Sequence, residues 1–412
     1  MTSRIIETAY PLTFREHDAK DLGRQLKLRN SVELVGIKRV GISNFLRFFL
    51  NHKDVVATYI DQHENHLFIS IDLNDLIERE IHPFWILTFK RLLDIAEKSE
   101  LLSDISKNTI SALFLRSIQA HDLFLTLENI KQATEIILSE NILPTFFLIR
   151  FDRIESAITH DFFNNLQGFV SNSQHKVSFV FTSFRPLDQI KPTVFDRREL
   201  TSFSHTMHLK PAERKDIAII YSTLKEKFNL CFTKDMEKEL LQLSGGHVQY
   251  LHLLLIILHE KLGSTESNLS REEILEKVVT DERIRLQSEE IWESLTKEEQ
   301  AALMKGKKNI PSDRSSYLVD TGIINDQNQV FSPLLYEYTQ TLSKSFDKAI
   351  EFSKKEHELF TVLYNNKDQI CERETIIADV WPEYEEVGVS DWTIDRLIAR
   401  LRQKLLLQKS TY

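Results

Sequence analysis

The stretch Val32-Glu33-Leu34-Val35-Gly36-Ile37-Lys38-Arg39-Val40-Gly41-Ile42-Ser43-Asn44-Phe45-Leu46 decides the fold of this chain. It has the layout of a phosphate-binding loop: an apolar strand, a glycine, four residues, a second glycine, and then a hydroxyl residue that opens a helix. In such a loop, backbone N–H groups surround the phosphates, a lysine compensates their charge, and the hydroxyl binds magnesium. Ile42 stands where the lysine belongs, so the loop keeps its backbone pattern but loses its central positive charge.

The composition is that of an ordinary globular protein. The chain has 412 residues, of which 42% are hydrophobic and 27% are charged. This length allows about two to four domains. The formal net charge of −9 argues against a nucleic-acid coat or a membrane-surface protein, although it is compatible with one small basic patch. Two cysteines without metal-type spacing, and apolar runs too short to cross a bilayer, predict a cytoplasmic protein with free thiols and no membrane partner.

The first half of the chain alternates apolar strands with helical patterns, which predicts a parallel sheet with helices on both faces. Several strands are apolar at successive positions, as expected when both faces are covered. A long helical insertion, about residues 76–142, separates the second strand from the third and has no assigned chemistry. The five predicted strands are Val32–Gly36, His66–Leu73, Thr145–Phe151, Val177–Thr182 and Thr206–Leu209.

Strand signals almost vanish after Pro211, so the second half is expected to be mainly helical. Two capping boxes, in which a hydroxyl residue and a glutamate satisfy each other's free N–H groups, are expected to open two small winged-helix domains. They are Thr296 with Glu299 and Ser353 with Glu356. The predicted domains are an α/β P-loop NTPase-like domain (1–210), a helical lid (211–285), a first winged helix (286–345) and a second winged helix (346–412), which either is truncated before its final wing hairpin or lacks it.

A strand that ends in an acid should lie near the phosphate loop, because magnesium on a nucleotide needs a carboxylate, directly or through water. Asp152 meets this need. Thr182 or Ser183, at the end of the next strand, could sense the γ-phosphate, or could be polar merely because strand ends usually are. The predicted nucleotide site contains Gly36, Lys38, Arg39, Gly41, Ser43, Asn44, Asp152 and Ser183, with Ser43 and Asp152 as magnesium ligands.

The order of phosphate loop, acid-tipped strand, polar strand end, helical lid with Gly245-Gly246-His247, and winged helix resembles the STAND branch of P-loop ATPases, which are related to AAA+ and origin-recognition ATPases. The resemblance covers about residues 10–340. It includes Phe14-Arg15-Glu16-His17, which is similar to a segment that such proteins place near the adenine. It implies ATP or ADP, with magnesium, as the ligand.

Three positions depart from that family: Ile42 at the lysine, Arg153 at the second acid that polarises water, and Val248 at a proline that contacts the base. Lys38 and Arg39 are basic residues that the family commonly carries in addition to the lysine, although Lys38 could also fold back onto a phosphate. The loop amides and the helix dipole alone still make an anion site. Nucleotide binding with little or no hydrolysis is favoured over no binding and over efficient hydrolysis, for which Asp152 is the catalytic candidate.

The C-terminal stretch Ser390-Asp391-Trp392-Thr393-Ile394-Asp395-Arg396-Leu397-Ile398-Ala399-Arg400-Leu401-Arg402-Gln403-Lys404-Leu405 closely resembles the recognition helix of OmpR/PhoB-type response regulators, and Arg373–Trp381 resembles the helix before it. As a helix it has one apolar stripe, and every charged residue from Arg396 to Lys409 is basic. The resemblance implies a winged helix that places this helix in the major groove of double-stranded DNA. The predicted DNA-binding residues are Thr393, Arg396, Arg400, Arg402 and Lys404.

Acidic residues nevertheless outnumber basic ones in the last domain. A solvated amphipathic helix or a protein-binding winged helix therefore stays open as an alternative. The favoured interpretation is a DNA-binding transcriptional regulator whose STAND-like module binds ATP or ADP with weak or no hydrolysis. The alternatives are an active ATP-dependent oligomerising switch and a protein-interaction scaffold with a pseudo-ATPase domain. Homo-oligomers and protein partners remain open.

Overall fold

The computed structural model describes residues 5–61, 65–228, 230–263, 268–305, 316–344, 352–367, 369–382, 389 and 391–409. The chain divides into two units, Met1–Ile219 and Ile220–Tyr412, which are called unit 1 and unit 2 below. The four-domain division remains a prediction, and its boundary at residue 210 lies close to the division between the units.

A five-stranded sheet forms the centre of unit 1. Every pairing in it is parallel, and the strand order is β2-β3-β4-β1-β5. The predicted α/β class, with five parallel strands, is therefore confirmed. The strands are β1 (Ser31–Val35), β2 (Asn65–Asp72), β3 (Ile142–Ile149), β4 (Ser178–Ser183) and β5 (Ser204–His208).

The sheet is covered on both faces. Strands β1 and β4 are buried at every position, as strands covered on both faces are. Phenylalanine rings fill much of the core: Phe146 stacks on Phe179 with ring centroids 5.4 Å apart, and Phe181 continues the row. Edge strand β2 instead buries alternate residues, as a strand with one covered face does.

Helices on unit 1 connect these strands. The predicted insertion consists of three helices, α3 to α5 below, that pack on one another and against β2 and β3. Ser103 and Asp122 cap two of them, each accepting a backbone N–H bond at the helix N-terminus. The helices are α1 (Glu16–Lys27), α2 (Ile42–Asn51), α3 (Ile81–Lys98), α4 (Asp104–Ala120), α5 (Leu123–Ser139), α6 (His160–Asn172), α7 (Leu187–Ile190), α8 (Arg197–Phe203) and α9 (Arg214–Phe228), which runs on into unit 2.

Unit 2 is mainly helical, as predicted. Both predicted capping boxes form, with Glu299 accepting from the Thr296 N–H at 2.8 Å and Glu356 from the Ser353 N–H at 2.7 Å. An antiparallel bridge joins Ile324 to Val330. The helices are α10 (Lys234–Ser244), α11 (Val248–Leu262), α12 (Arg271–Val278), α13 (Glu282–Glu293), α14 (Lys297–Lys305), α15 (Ser316–Asp320), α16 (Pro333–Lys344), α17 (Lys354–Asn365), α18 (Arg373–Val380) and α19 (Asp391–Lys409).

Two findings bear on membranes and thiols. Within the described ranges, no helix combines the length and the apolarity that crossing a bilayer requires. Cys231 and Cys371 are both free thiols, as their spacing in the sequence predicts.

Candidate nucleotide and nucleic-acid sites

The loop between β1 and α2 has the backbone geometry that its glycines predict. The Gly36 N–H donates to the carbonyl of Ser183 at 3.2 Å, which ties the start of the loop to the end of β4. Gly41 has φ 116°, a conformation that L side chains rarely adopt, and it immediately precedes the first turn of α2. The loop therefore ends at a helix N-terminus whose first N–H groups have no partner within the helix.

Ile42 fills the base of this loop with a hydrocarbon side chain. Its Cδ1 lies 3.2 Å from the point that a Cβ on Gly36 would occupy, and Cγ1 of Val40 lies 3.0 Å from the same point. Two apolar side chains thus converge on Gly36. The loop has the backbone layout predicted for a phosphate-binding loop but an apolar group where the compensating cation would begin.

Several predicted nucleotide-binding side chains already make contacts within unit 1. Lys38 Nζ lies 4.8 Å from the ring centroid of Phe184, a cation–π distance. Asn44 donates to Glu7 at 3.1 Å, and the Ser183 hydroxyl donates to the carbonyl of Arg185 at 2.6 Å. Arg39 adopts a left-handed conformation with φ 62°. Ser43 is half-buried in the first turn of α2.

Asp152 lies in the short 3-10 turn Phe151–Ala157 that follows β3. Burial raises the pKa of its carboxyl, and the positive charges of Lys38, Arg153 and Arg150 act in the opposite direction. Lys38 and Asp152 therefore lie within electrostatic reach, although strand β4 separates β3 from β1 in the sheet.

The arginines beside Asp152 have partners on β2 and the residues after it. Arg150 donates through Nε to Asp72 at 3.0 Å, and Arg153 donates to the Asn74 side chain at 2.5 Å. The Arg150 N–H also donates to the Thr182 hydroxyl at 2.7 Å. Arg153, at the position of the expected second acid, is thus held beside Asn74 and brings positive charge to this end of the sheet.

Hard oxygen ligands suit magnesium, and Ser43 and Asp152 supply oxygen atoms of the appropriate kind. In the part of the chain that the structure describes, no three His, Cys, Asp or Glu side chains converge into a metal site. Magnesium held by Ser43 and Asp152 would take further oxygen ligands, such as nucleotide phosphates and water, because it prefers octahedral coordination.

The segment predicted near the adenine is fastened within unit 1. Arg15 is buried with φ 47°, and its backbone N–H donates to Asp216 at 2.9 Å. Its guanidinium donates to the carbonyl of Lys210 at 3.0 Å and to Asp18 at 3.1 Å. Arg15 thereby connects the start of α1 to the start of α9.

The glycine pair of the predicted lid packs within unit 2. Gly245 has φ 58°, and a Cβ on it would lie 2.1 Å from the carbonyl oxygen of Phe331. His247 caps α11, its Nδ1 accepting from the Tyr250 N–H at 3.2 Å, while its ring stacks on Phe331 with centroids 5.7 Å apart. The backbone of Phe331 therefore approaches so closely that only glycine fits at residue 245.

Helix α19, the predicted recognition helix, is amphipathic as expected. Ile394, Leu397 and Leu401 are buried along one side. Thr393 is half-buried near the helix start, and Arg402 is exposed.

The other predicted DNA-binding residues of α19 form ion pairs within unit 2. Arg400 is only 8% exposed and contacts three carboxylates: Glu289 at 3.0 Å, Glu282 at 3.3 Å and Glu356 at 2.8 Å. Arg396 pairs with Glu289 at 3.2 Å and also with Glu293. Lys404 Nζ lies 2.6 Å from Glu356. The basic side of α19 therefore faces carboxylates of α13 and α17.

The solvent-facing side of α19 carries charges of both signs. Asp391 and Asp395 are exposed, and Arg373 of α18 pairs with Asp395 at 2.6 Å and approaches Asp391 at 3.9 Å. Arg402 is an exposed basic residue on this side.

Two features escaped the sequence reasoning. Glu33 lies fully buried in the middle of β1, where it accepts hydrogen bonds from the Leu187 N–H and the Thr206 hydroxyl. Burial raises the pKa of Glu33 to about 7, against the effect of these hydrogen bonds. The sequence indicates this feature by a charged residue inside an apolar strand. The second feature is the acidic partner helix α13, whose signal was the recurrence of glutamate along residues 282–293.

Residues 347–411 match the family model described as "Transcriptional regulatory protein, C terminal". The last domain is therefore of the type found at the C-terminus of such regulators. This confirms the resemblance on which the second winged helix was predicted, and the rest of the chain lies outside the match.

Three solved structures illustrate the likeness of the fold. The ORC2 protein of Aeropyrum pernix, solved as ADPNP–ADP complexes, is 13% identical, with 99% of this chain and 98% of that chain covered and a TM-score of 0.48. The Walker-type ATPase PABY2304 of Pyrococcus abyssi is 14% identical, with coverage of 81% and 100% and a TM-score of 0.46. The ORC1 protein of Aeropyrum pernix in complex with DNA is 14% identical, with coverage of 84% and 81% and a TM-score of 0.40. Among curated proteins, none matches the chain.

Proposed function

We propose that the protein is a transcriptional regulator that binds double-stranded DNA through α19. The observation that carries this proposal is the match of residues 347–411 to the C-terminal domain of transcriptional regulatory proteins. The composition of α19 supports it, because from Arg396 to Lys409 its charged residues are all basic. Such a helix can place side chains against base edges and phosphates in the major groove.

Unit 1 serves in this proposal as a nucleotide-binding module of the STAND type, with ATP or ADP as its ligand and weak or no hydrolysis. The loop glycines, Ser43 and Asp152 support binding. Ile42 and Arg153 argue against efficient turnover, since the first supplies no cation for the phosphates and the second is no acid. The nucleotide would then act as a switching or structural ligand, and the working protein would be cytoplasmic.

DNA binding is tested with the full-length protein and a labelled pool of random-sequence DNA duplexes at low salt. Arg402→Ala should weaken binding and reduce the slope of log affinity against log salt by about one, because one phosphate contact is lost. Lys354→Ala is a matched control, since it removes one positive charge from an exposed position of α17 in the same domain. Failure of the natural protein to bind any duplex at low salt would contradict the proposal.

Nucleotide binding is tested on protein purified without added nucleotide. Acid release followed by chromatography should find ADP or ATP bound to the natural protein. Rapid turnover of ATP by that protein would favour the second candidate, an active oligomerising switch. An absence of both bound nucleotide and measurable affinity would leave unit 1 as a scaffold.

A further inference from the structure

The basic side of α19 and the acidic side of α13 form one ion cluster, which we call the α13–α19 cluster. Its carboxylates are Glu282, Glu289 and Glu293 of α13, and Glu356 of α17 completes it. The cations from α19 are Arg396, Arg400 and Lys404. Carboxylates and phosphates offer guanidinium groups the same kind of charge-assisted hydrogen bond.

We propose that α13 is an internal competitor for DNA, whose carboxylates occupy the basic side of α19 and keep the protein in a form with low DNA affinity. This inference rests on the proposed function, because it assigns regulation to the same helix. Three independent features of the cluster support it: burial, the chain location of the acids, and the charge of the surface left exposed.

Burial shows that the cluster excludes phosphate. Arg400 is 8% exposed, and Glu289, which it contacts at 3.0 Å, is 10% exposed. A phosphate group cannot reach the Arg400 guanidinium while α13 is in place. Charges taken out of water in this way stabilise one another only when both partners are present.

The carboxylates of the cluster come from two parts of the chain. Only those of α13 lie outside the C-terminal domain and could move away from α19. Glu356 belongs to α17, inside the matched C-terminal domain, and its capping box with Ser353 gives it a structural role there. Glu282, Glu289 and Glu293 belong to α13, outside that domain. Separation of α13 from the C-terminal domain would therefore expose Arg396 and part of Arg400, while Glu356 would remain.

The surface left exposed is unsuited to DNA. With the basic side covered, the charged residues that α19 presents to solvent are Asp391, Asp395 and Arg402 among the described side chains. Two acids and one arginine attract phosphates less than the covered side with its three cations would, so the covered arrangement should bind DNA weakly. Opening of the cluster should therefore raise the affinity of α19 for DNA.

The far side of α13 is attached to the lid helix α11. The Tyr250 hydroxyl lies 2.7 Å from the Ser288 hydroxyl, and Arg283 makes two hydrogen bonds of 2.7 Å to Glu260. Helix α13 is thus held by α11 through one set of side chains and by α19 through another. A displacement of α11 would pull on the same helix that covers the basic residues.

The test compares two charge-matched variants of the full-length protein on the random-sequence duplex pool at low salt. Glu289→Gln with Glu293→Gln removes two negative charges from the cluster with little change of shape. Glu272→Gln with Glu276→Gln removes two exposed charges from α12 and controls for net charge. We expect the cluster variant to bind DNA roughly tenfold more tightly than the natural protein, because the competent fraction rises. The control variant should change affinity by less than about threefold.

The outcomes separate the inference from the function on which it rests. Equal affinity of the natural protein and the cluster variant, or an equal gain in both variants, would overturn the internal competition while leaving DNA binding intact. An absence of DNA binding in all three proteins would overturn the proposed function itself, and with it this regulation. If circular dichroism finds the cluster variant unfolded, Glu293→Gln alone at a half-exposed position serves instead, with a gain of a few fold expected against Glu276→Gln alone.

Discussion

The β1–α2 loop of unit 1 and helix α19 of unit 2 are both anion-binding candidates, but they differ in how positive charge is withheld. In the loop the cation is absent from the sequence, because Ile42 replaces it and packs its Cδ1 toward Gly36. In α19 the cations are present but paired with carboxylates. Only a mutation can supply the missing cation of the loop, whereas moving one helix can release the paired cations of α19.

Two buried glutamates repeat this contrast. Glu33 in β1 has no cation beside it among the contacts found for it, and burial raises its pKa to about 7. Burial also tends to raise the pKa of Glu356, but hydrogen bonds from Lys404 and the Ser353 N–H, together with the charge of Arg400, hold it below the ordinary value. The pKa values of the two carboxyls thus shift in opposite directions, and cations lie beside Glu356 alone.

The largest expected effect comes from breaking the α13–α19 cluster at its centre. Arg400→Ala removes the cation that three carboxylates share, while Arg396 and Lys404 still pair with two of them, so unit 2 should lose about 3 kcal/mol of stability. Urea unfolding followed by tryptophan fluorescence measures this, since Trp292, Trp381 and Trp392 all lie in unit 2. Arg402→Ala, on the same helix but exposed, should cost less than about 0.5 kcal/mol. Equal stability of the two variants would contradict the burial of Arg400.

Glu33→Gln tests whether the buried carboxyl of β1, which has no cation beside it among the contacts found, makes stability depend on pH. Because the folded pKa of Glu33 is raised, the folded state binds the proton more tightly, and stability falls as pH rises from about 4.5 to about 7. The rise in the pKa of Glu33 corresponds to about 3 kcal/mol of stability lost across this pH window. Glu33→Gln should remove that part of the pH dependence and be more stable than the natural protein at pH 8. Glu199→Gln, at an exposed position, should keep the natural profile in thermal melts at pH 5 and pH 8.

Gly245→Ala tests whether Gly245 is needed for close packing against Phe331 in unit 2. A Cβ there meets the Phe331 carbonyl at 2.1 Å and the backbone φ is 58°, so we expect a loss of about 3 kcal/mol. Gly168→Ala, inside helix α6 with open space around the added Cβ, is the control and should change stability by no more than about 1 kcal/mol, in the stabilising direction. Similar losses in the two variants, measured by urea unfolding, would show that the contact with Phe331 is unimportant.

The smallest expected effect comes from restoring the loop cation. Ile42→Lys should tighten ADP binding by roughly tenfold, since a hydrogen bond to a charged group contributes about 1.5 kcal/mol. ATP turnover should stay low, because Arg153 still occupies the position of the second acid. Asn51→Lys, at the other end of α2, adds the same charge and should leave ADP affinity in calorimetry unchanged. A large rise in turnover for Ile42→Lys would assign the catalytic defect to the lysine position alone.

Much of the fold could be predicted from local sequence pattern. The apolar runs of β3 and β4 and the glycine spacing of the β1–α2 loop each depend on residues close in the chain, and so do the capping boxes at Thr296 and Ser353. Helical periodicity likewise placed Leu397 and Leu401 on the buried side of α19.

The surroundings of Arg400 could not be predicted in this way. Periodicity places it at the border of the apolar stripe, but its partner Glu289 is 111 residues away in the sequence. Which helix covers that border depends on tertiary packing, and so does the burial of Glu33 between strands β4 and β5. The predicted nucleotide-binding and DNA-binding roles of individual residues remain predictions for the experiments above.

Hydrogen–deuterium exchange of the full-length protein, with and without the random-sequence duplex pool, tests the central contrast most directly. If α19 exchanges its carboxylate partners for phosphates, amides of α19 should become protected on DNA binding while those of α13, Glu282–Glu293, exchange faster. Protection of α19 with unchanged or slower exchange in α13 would contradict the account, because the two helices would then stay together when DNA binds.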